Sequence, residues 1–328
     1  MAAGEILNRT TPEFRRRLLA WFRRHQRKLP WRGERDPYCI LVSEIMLQQT
    51  RVAVVEERYQ QFIAQFPTVE KLARAREQTV LAAWSGLGYY RRARNLHAAA
   101  KQITGNGFPR TSGGLRELPG IGRYTANAVA SIAFGEPAAV VDGNVKRVLE
   151  RVFASHFSPE AKAGDERYWE LAAGLLERRS PGDFNQAMME LGALVCLPGQ
   201  PLCRSCPVEA MCAARGPVAR KARQVRRRAV VRYALALRQG SVFLQKRPQQ
   251  SSLMPGMWEL PLMETGLADK TAPILKLRHS ITTTDYTIFV HAGESHPANG
   301  GEWHSLRSTK RLPLTGLTRK ILERLGET

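Results

Sequence analysis

The chain has 328 residues, 43% hydrophobic and 24% charged, so it can bury a core and is not a disordered polymer. Fifty Lys and Arg against 29 Asp and Glu leave a formal charge of +21, which points to a polyanionic partner, nucleic acid before acidic lipid. No apolar run is long enough to span a bilayer, which excludes an integral membrane protein of helical spans, and no membrane partner is expected. Met1-Ala2-Ala3-Gly4-Glu5 lacks the basic-then-apolar order of a secretory signal, so a cytoplasmic, prokaryotic protein is expected. The length favours two domains.

The first two thirds carry a helical period. Phe14, Leu18 and Phe22 recur at four-residue steps. Pro37 to Leu47 is almost wholly apolar yet holds Glu44 in its middle. A carboxyl among apolar neighbours has a raised pKa, which suits a proton donor near neutral pH; the plainer role is a surface ion pair. Val55, Tyr59, Phe62 and Phe66 continue the helical pattern, as do Val80, Leu81 and Trp84, until Gly86 and Gly88 stop it. Asn95, Leu96, Ala99 and Ile103 outline a further helix.

Leu118-Pro119-Gly120-Ile121-Gly122 precedes Arg123-Tyr124-Thr125-Ala126, which opens an alanine-rich helix. Gly120 and Gly122 let backbone N–H groups turn outward at the helix start, where a phosphate can dock without its sequence being read. Asp142 stands just before a helix running to about Phe153. Its default role is the N-cap, and the helix terminus favours its ionised form. A protonated Glu44 and an ionised Asp142 are the acid and anion that glycosidic cleavage needs.

Four of the five cysteines crowd into C-x6-C-x2-C-x5-C at Cys196, Cys203, Cys206 and Cys212. Four thiolates this close can converge on a metal, and zinc and an iron–sulfur cluster both accept them. Cys39, inside an apolar run, reads as a small buried hydrophobe. Residues 215–228 contain seven Lys or Arg, no acid and no apolar face, as a basic linker would. Beyond them, Val231, Tyr233, Leu235 and Leu237 share one parity, Gln239-Gly240 makes a turn, and Val242 to Gln245 returns as a strand. Lys276 to Ala292 and Trp303 to Leu306 read as strands and Thr315 to Leu325 as a closing helix, a small α+β domain.

Seven motifs in order resemble one family: Leu29-Pro30-Trp31-Arg32 with Asp36-Pro37-Tyr38; Ser43-Glu44-Ile45-Met46-Leu47-Gln48-Gln49-Thr50; Gly86-Leu87-Gly88-Tyr89-Tyr90; Leu118 to Thr125; Val141-Asp142-Gly143-Asn144-Val145-Lys146-Arg147-Val148; and the four cysteines. They are similar to MutY, the adenine DNA glycosylases of the endonuclease III helix-hairpin-helix superfamily. The resemblance implies an all-α helix-hairpin-helix glycosylase fold with a [4Fe-4S] loop, followed by an α+β Nudix-like domain. The boundaries it implies are 1–214 for the helical region, with a six-helix barrel at about 29–136 and the iron–sulfur part at about 1–28 and 137–214. The basic linker then covers 215–228 and the Nudix-like domain 229–328.

It further implies a monofunctional glycosylase of base excision repair, a monomer associated with the nucleoid. Its partner is double-stranded DNA with adenine opposite 8-oxoguanine, or opposite G, and the adenine must be flipped out of the stack. Glu44 matches the acid that protonates adenine N7, Asp142 the stabiliser of the oxocarbenium-like sugar, and Asn144 the residue that orients Asp142. Tyr124 stands where strand-cleaving relatives carry a lysine, so lyase activity is expected to be weak or absent. Gln48, Gln49, Tyr89, Gly120, Gly122 and Arg123 match DNA-contacting positions, and Gln49 and Tyr89 those that fill the duplex. Trp31, Arg32 and Glu190 match the adenine pocket, and the four cysteines the ligands of the [4Fe-4S] cluster. Gly256-Met257-Trp258-Glu259-Leu260-Pro261 is similar to part of the Nudix-like domain that senses 8-oxoguanine. Residues 262–277 hold only Glu264 and Asp269, so pyrophosphohydrolase activity is not expected. The family's Phe-Ser-His sensing loop falls on Ile281-Thr282-Thr283, after His279 and Ser280. The wedge and the imidazole are missing there, and Thr282 keeps a hydroxyl.

Overall fold

A computed structural model describes residues 3–154, 165–217, 226–251, 253–263, 271–281, 283–293 and 301–326. The chain divides into two compact units, residues 1–63 with 98–222 and residues 64–97 with 223–328.

The helices run in the order α1 (Ala3–His25), α2 (Pro37–Leu47), α3 (Val52–Gln65), α4 (Val69–Arg74), α5 (Glu77–Ala83), α6 (Arg91–Asn106), α7 (Ser112–Arg116), α8 (Arg123–Phe134), α9 (Gly143–Val152), α10 (Asp165–Leu175) and α11 (Pro181–Leu194). None among the described residues is long and apolar enough to cross a membrane. α4, α5 and the start of α6 belong to the second unit.

In the first unit the α1 stripe Phe14, Leu18 and Phe22 is buried against Val145, Leu149, Phe184, Leu191 and Val208. The Phe14 ring lies 5.4 Å from that of Phe153. α2 has no solvent face: every residue from Tyr38 to Met46 is buried, as expected of a helix apolar all round. Asp36 caps it by accepting from Tyr38 N at 2.8 Å, and Pro37 sits where its missing N–H costs nothing. Glu44, one turn before the end, therefore enters the interior by virtue of its helix.

Two glycines let α11 approach its neighbours. A Cβ on Gly182 would lie 2.8 Å from Ile132 Cα in α8, and one on Gly192 would lie 2.6 Å from Asn144 Cβ in α9. Backbones this close tolerate no side chain, and they bring three helices around one pocket.

In the second unit, β1 (Arg227–Leu235), β6 (Thr284–Ala292) and β5 (Leu275–Ile281) form a sheet in that order, β1 parallel and β5 antiparallel to β6. β3 (Ser241–Lys246) pairs antiparallel with β2 (Leu237–Arg238), β4 (Trp258–Glu259) and β7 (Gly301–Ser305) in a second sheet. α12 (Gly316–Arg324) closes the chain. Tyr233, Leu235, Val242, Leu244, Trp258, Ile288, Val290, Leu314 and Ile321 share the core. Gln239 and Gly240 both have positive φ, the primed turn that suits a two-residue hairpin. Leu237 departs from the expected parity: β1 ends at Leu235, and Leu237 on the new strand is 44% exposed. β1 begins at Arg227, inside the stretch that composition alone makes a linker, and residues 218–225 of that stretch lie outside the described residues.

Candidate active site and cysteine-lined cavity

A pocket of about 560 Å³ in the first unit is lined by residues of α2, α8, α9 and α11 and of the loops before α2 and α9, among them Trp31, Glu44, Tyr124, Asp142, Asn144 and Glu190. Glu44 is 5% exposed. Burial pushes its carboxyl up to about 7; the Asp142 charge adds to this, while the Tyr124 hydroxyl and Arg32 oppose it. Tyr124 donates to Glu44 Oε2 at 2.9 Å and lies 3.0 Å from Met189 Sδ. Burial and the nearby carboxylates push the phenol well above its ordinary value, so it stays a neutral donor.

Asp142 is both the N-cap and a pocket residue. Its Oδ1 accepts from Val145 N at 2.7 Å and its Oδ2 from Asn144 Nδ2 at 2.9 Å. The expected contrast between the two carboxyls needs correction here. Burial raises Asp142 as well, opposed by the Val145 and Asn144 hydrogen bonds. The pair differs in the number of donors that hold each anion, not in the direction of its shift.

A donor network leads away from Asp142. Asn144 Oδ1 accepts from Arg147 Nη2 at 2.8 Å, and that guanidinium also donates to Gly192 O at 2.7 Å and Cys196 O at 2.6 Å. Arg151 Nη1 donates to Leu197 O at 2.8 Å and lies 3.3 Å from Cys196 Sγ.

Glu190 on α11, its side chain 2% exposed, accepts three hydrogen bonds from Arg27 at 2.8–2.9 Å and one from Arg32 Nη2 at 3.1 Å. Burial raises its carboxyl, but these cations outweigh burial and leave it below the ordinary range. A buried pair of this kind loses strongly when one partner goes. Arg32 also donates to Gln186 Oε1 and lies 5.2 Å from the centre of the Phe22 ring. Trp31 is buried with its edge toward Tyr59, 5.4 Å between centroids. Arg27, Gln186 and Met189 are absent from the sequence reading, and Arg147 stands there only within a motif, with no role given to it. Gln186 and Glu190, four apart on a mostly apolar helix, were the available signal; Arg27 was hidden in a basic run.

At the pocket rim Gln48 donates to Thr125 Oγ1 at 3.1 Å, and Gln49 is exposed with φ +55°. The hairpin joins α7 to α8. Gly120 has φ +74°, and Gly122 is an N-cap with no side chain closing the helix end. Arg123 is engaged within the unit: it pairs with Glu166 at 2.6 Å and lies 4.1 Å above the Trp169 ring. The backbone of the hairpin, more than this side chain, is what offers itself to an anion.

Tyr89, in the second unit, is 48% exposed with φ +47°. His279 and Ser280 lie on β5, and Ser280 donates to Asp285 Oδ1 across the hairpin at 2.6 Å. Burial, with the Lys320 charge, lowers His279. Thr282, Glu264 and Asp269 lie outside the described residues.

Cys196, Cys203, Cys206 and Cys212 line one cavity with Val148, Leu191 and Arg151. Burial first, and then the other thiols, push Cys206 up to about 11 and raise Cys212. Among the described residues no three His, Cys, Asp or Glu stand close enough to hold a single metal ion. The cavity nonetheless suits thiolate-bound metal: four soft ligands share it, and Arg151 and Gly216 N, 3.5 Å from Cys203 Sγ, aim donors at sulfur.

Residues 42–173 match the family model of the HhH-GPD superfamily base excision DNA repair proteins. The structure of a thermostable thymine-DNA glycosylase is 31% identical, with a TM-score of 0.57, covering 63% of this chain and 96% of that one. The chain belongs to the HhH-GPD superfamily of base excision DNA repair proteins. Within it, the chain is similar to the adenine DNA glycosylase of Homo sapiens, 48% identical over 214 residues, which cover 62% of this chain and 39% of the human protein. The adenine DNA glycosylase of Buchnera aphidicola is 39% identical over 207 residues, covering 62% of this chain and 58% of that protein. The match thus spans less than two thirds of these relatives, and they include both bacterial and animal proteins. An endonuclease III trapped on DNA shares the fold, with a TM-score of 0.54, 24% identity and coverage of 65% and 97%.

Proposed function

We propose that this chain is a monofunctional adenine DNA glycosylase acting on adenine opposite 8-oxoguanine, and opposite G, in duplex DNA. The observation that carries this is the pairing of a buried Glu44, raised to about 7, with an Asp142 held by helix and side-chain donors in one pocket large enough to admit a base. Glu44, protonated near neutral pH, gives its proton to N7 of the flipped adenine. The bond from N9 to the sugar then breaks with its electrons drawn into the neutral base, and Asp142 faces the positive charge left on the sugar. Water adds to that carbon and gives its proton to the Glu44 carboxylate, which restores the acid. Tyr124 keeps Glu44 oriented and has no amine with which to form a Schiff base.

The helix start at Gly122, which no side chain closes, and the +21 charge support duplex binding. Gln49 and Tyr89, each exposed and in the left-handed region, are placed by this reading in the duplex. The four cysteines would hold a [4Fe-4S] cluster, which fixes the loop beside α9 and α11; the shared cavity and its sulfur-directed donors support this. His279, Ser280 and Thr282 are assigned to 8-oxoguanine by resemblance, within a Nudix-like C-terminal domain.

The test is a single-turnover assay on a duplex with adenine opposite 8-oxoguanine, read with and without hot alkali. Strand breaks only after alkali, lost in Glu44→Gln, are expected. Breaks without alkali would establish lyase chemistry instead, and tight binding without product would leave a DNA-binding protein with no glycosylase activity.

A further inference from the structure

The second unit brings a stretch of helical chain, residues 64–97, together with the strand-rich region. α5 packs against the 3-10 turn at Leu306–Arg311, and two hydrogen bonds are made at the start of α6. Tyr90 is 3% exposed, and its hydroxyl donates to Leu314 O at 3.2 Å. Arg94, one helical turn on and on the same face, donates to Pro255 O at 2.6 Å and is braced by Glu77 Oε1 at 2.9 Å.

Both acceptors flank Trp258. Trp258 N donates to Pro313 O and Thr315 N to Trp258 O, each at 2.9 Å, while Gly256 N donates to Arg247 O at 3.0 Å. Tyr90 and Arg94 therefore grip the rim of the core in which Trp258 lies.

The same turns also grip the loop before them. Arg92 Nη2 donates to Leu87 O at 2.8 Å and Gly88 O at 3.2 Å, and Trp84 Nε1 donates to Gly88 O at 3.2 Å. The Arg92 guanidinium lies 5.5 Å from the centres of both the Trp84 and Tyr89 rings. Tyr89 itself has φ +47°, a conformation that a residue with a side chain keeps only when its surroundings hold it there. It is exposed on one side and joined by a single peptide to the buried, tethered Tyr90 on the other.

We infer that the first turns of α6 are a strut through which the strand-rich region sets the position of Tyr89, making Tyr90 and Arg94 positioning residues for discrimination of the base opposite adenine. This rests on the proposed glycosylase reading. The strand-rich region need not reach adenine to affect its excision: a shift of the Leu314 or Pro255 carbonyl moves the start of α6, and with it Tyr89.

The test uses the full chain. Tyr90→Phe keeps the buried ring and removes the hydroxyl that bonds Leu314 O, and Arg94→Met removes the second tether. Single-turnover excision is measured on duplexes with adenine opposite 8-oxoguanine and opposite G, with 2-aminopurine beside the 8-oxoguanine to report insertion of Tyr89. Tyr90→Phe is expected to lose about fivefold in the ratio of the two rates, the worth of one neutral hydrogen bond, and Arg94→Met about tenfold or more, because its donor is charged. The rate opposite G should hold and the 2-aminopurine signal should fall. Tyr89→Ala combined with Tyr90→Phe should lose no more than Tyr89→Ala alone. Equal losses on both duplexes, an unchanged ratio, or additive losses in the double variant would overturn the strut. A wild-type chain inactive on both duplexes would instead overturn the glycosylase reading on which it rests.

Discussion

The pocket walls and the strand-rich core bury polar groups in different ways. In the helices the interior takes in carboxyls and a guanidinium: Glu44 and Glu190 in the pocket and Arg151 at the cysteine-lined cavity are buried, each against a named partner. In the strand-rich core the buried polar residues are hydroxyls and one histidine, Thr309, Thr315, Thr318 and His291. Thr315 and Thr318 satisfy each other and the N–H of Leu260. A buried hydroxyl, once bonded, costs little and fixes local geometry; a buried charge shifts its pKa and stores reactivity. The proposed chemistry accordingly falls in the helices, where the buried charges are.

The largest effect that would break this comparison is at Glu44. Glu44→Gln should slow adenine excision by about 10²–10⁴-fold in single turnover, the usual range for a general acid, while retaining duplex affinity. An undiminished rate would remove the acid from the mechanism.

Next in size is Gly192→Ala. Its Cβ would meet Asn144 Cβ at 2.6 Å and displace the residue that holds Asp142. A rate loss on the order of 10²-fold is expected, as for displacements of about an ångström at a reacting centre. A melting temperature that falls with no change in rate would make the close approach purely structural.

The pH profile sharpens the contrast further. Excision should fall by about tenfold per unit as pH rises beyond about 7, where Glu44 gives up its proton. Stability follows the same sign. The folded-state value of about 7 exceeds the ordinary carboxyl value of 4.5, so the native state holds an extra proton between them. The stabilisation present at low pH is lost as pH rises through about 7. Glu44→Gln should flatten that loss in denaturant midpoints measured from pH 5 to 8; an unchanged slope would mean that Glu44 is ionised throughout.

The smallest effect belongs to the strands. Thr318→Val leaves Leu260 N–H without its acceptor and should cost about 1–3 kcal/mol of unfolding free energy. Excision of adenine opposite G should be unchanged, and a rate loss there would show that the strand-rich core serves the chemistry directly.

Much of this was legible in the chain. The Phe14, Leu18, Phe22 stripe, the Asp142 cap, the Gln239-Gly240 turn and the closing helix each depend on residues within a few positions of one another. The parallel pairing of β1 with β6 was not legible, because their partners lie more than fifty residues apart and strand period alone carries no register. Nor was the engagement of Arg123, since its partners Glu166 and Trp169 sit on another helix.

The sequence by itself determined which residues cap, turn and form stripes, and it placed Glu44 on a helix with no polar face. Only the tertiary structure decided that Glu44 is raised to about 7, because desolvation depends on what covers a side chain. It also decided that Arg27 reaches Glu190 across 163 positions of chain, and that α11 comes near enough to α9 for Gly192 to touch Asn144. Local conformation is set by neighbours in sequence; burial and long-range pairing are set by which faces meet, and that is settled only when the whole unit packs.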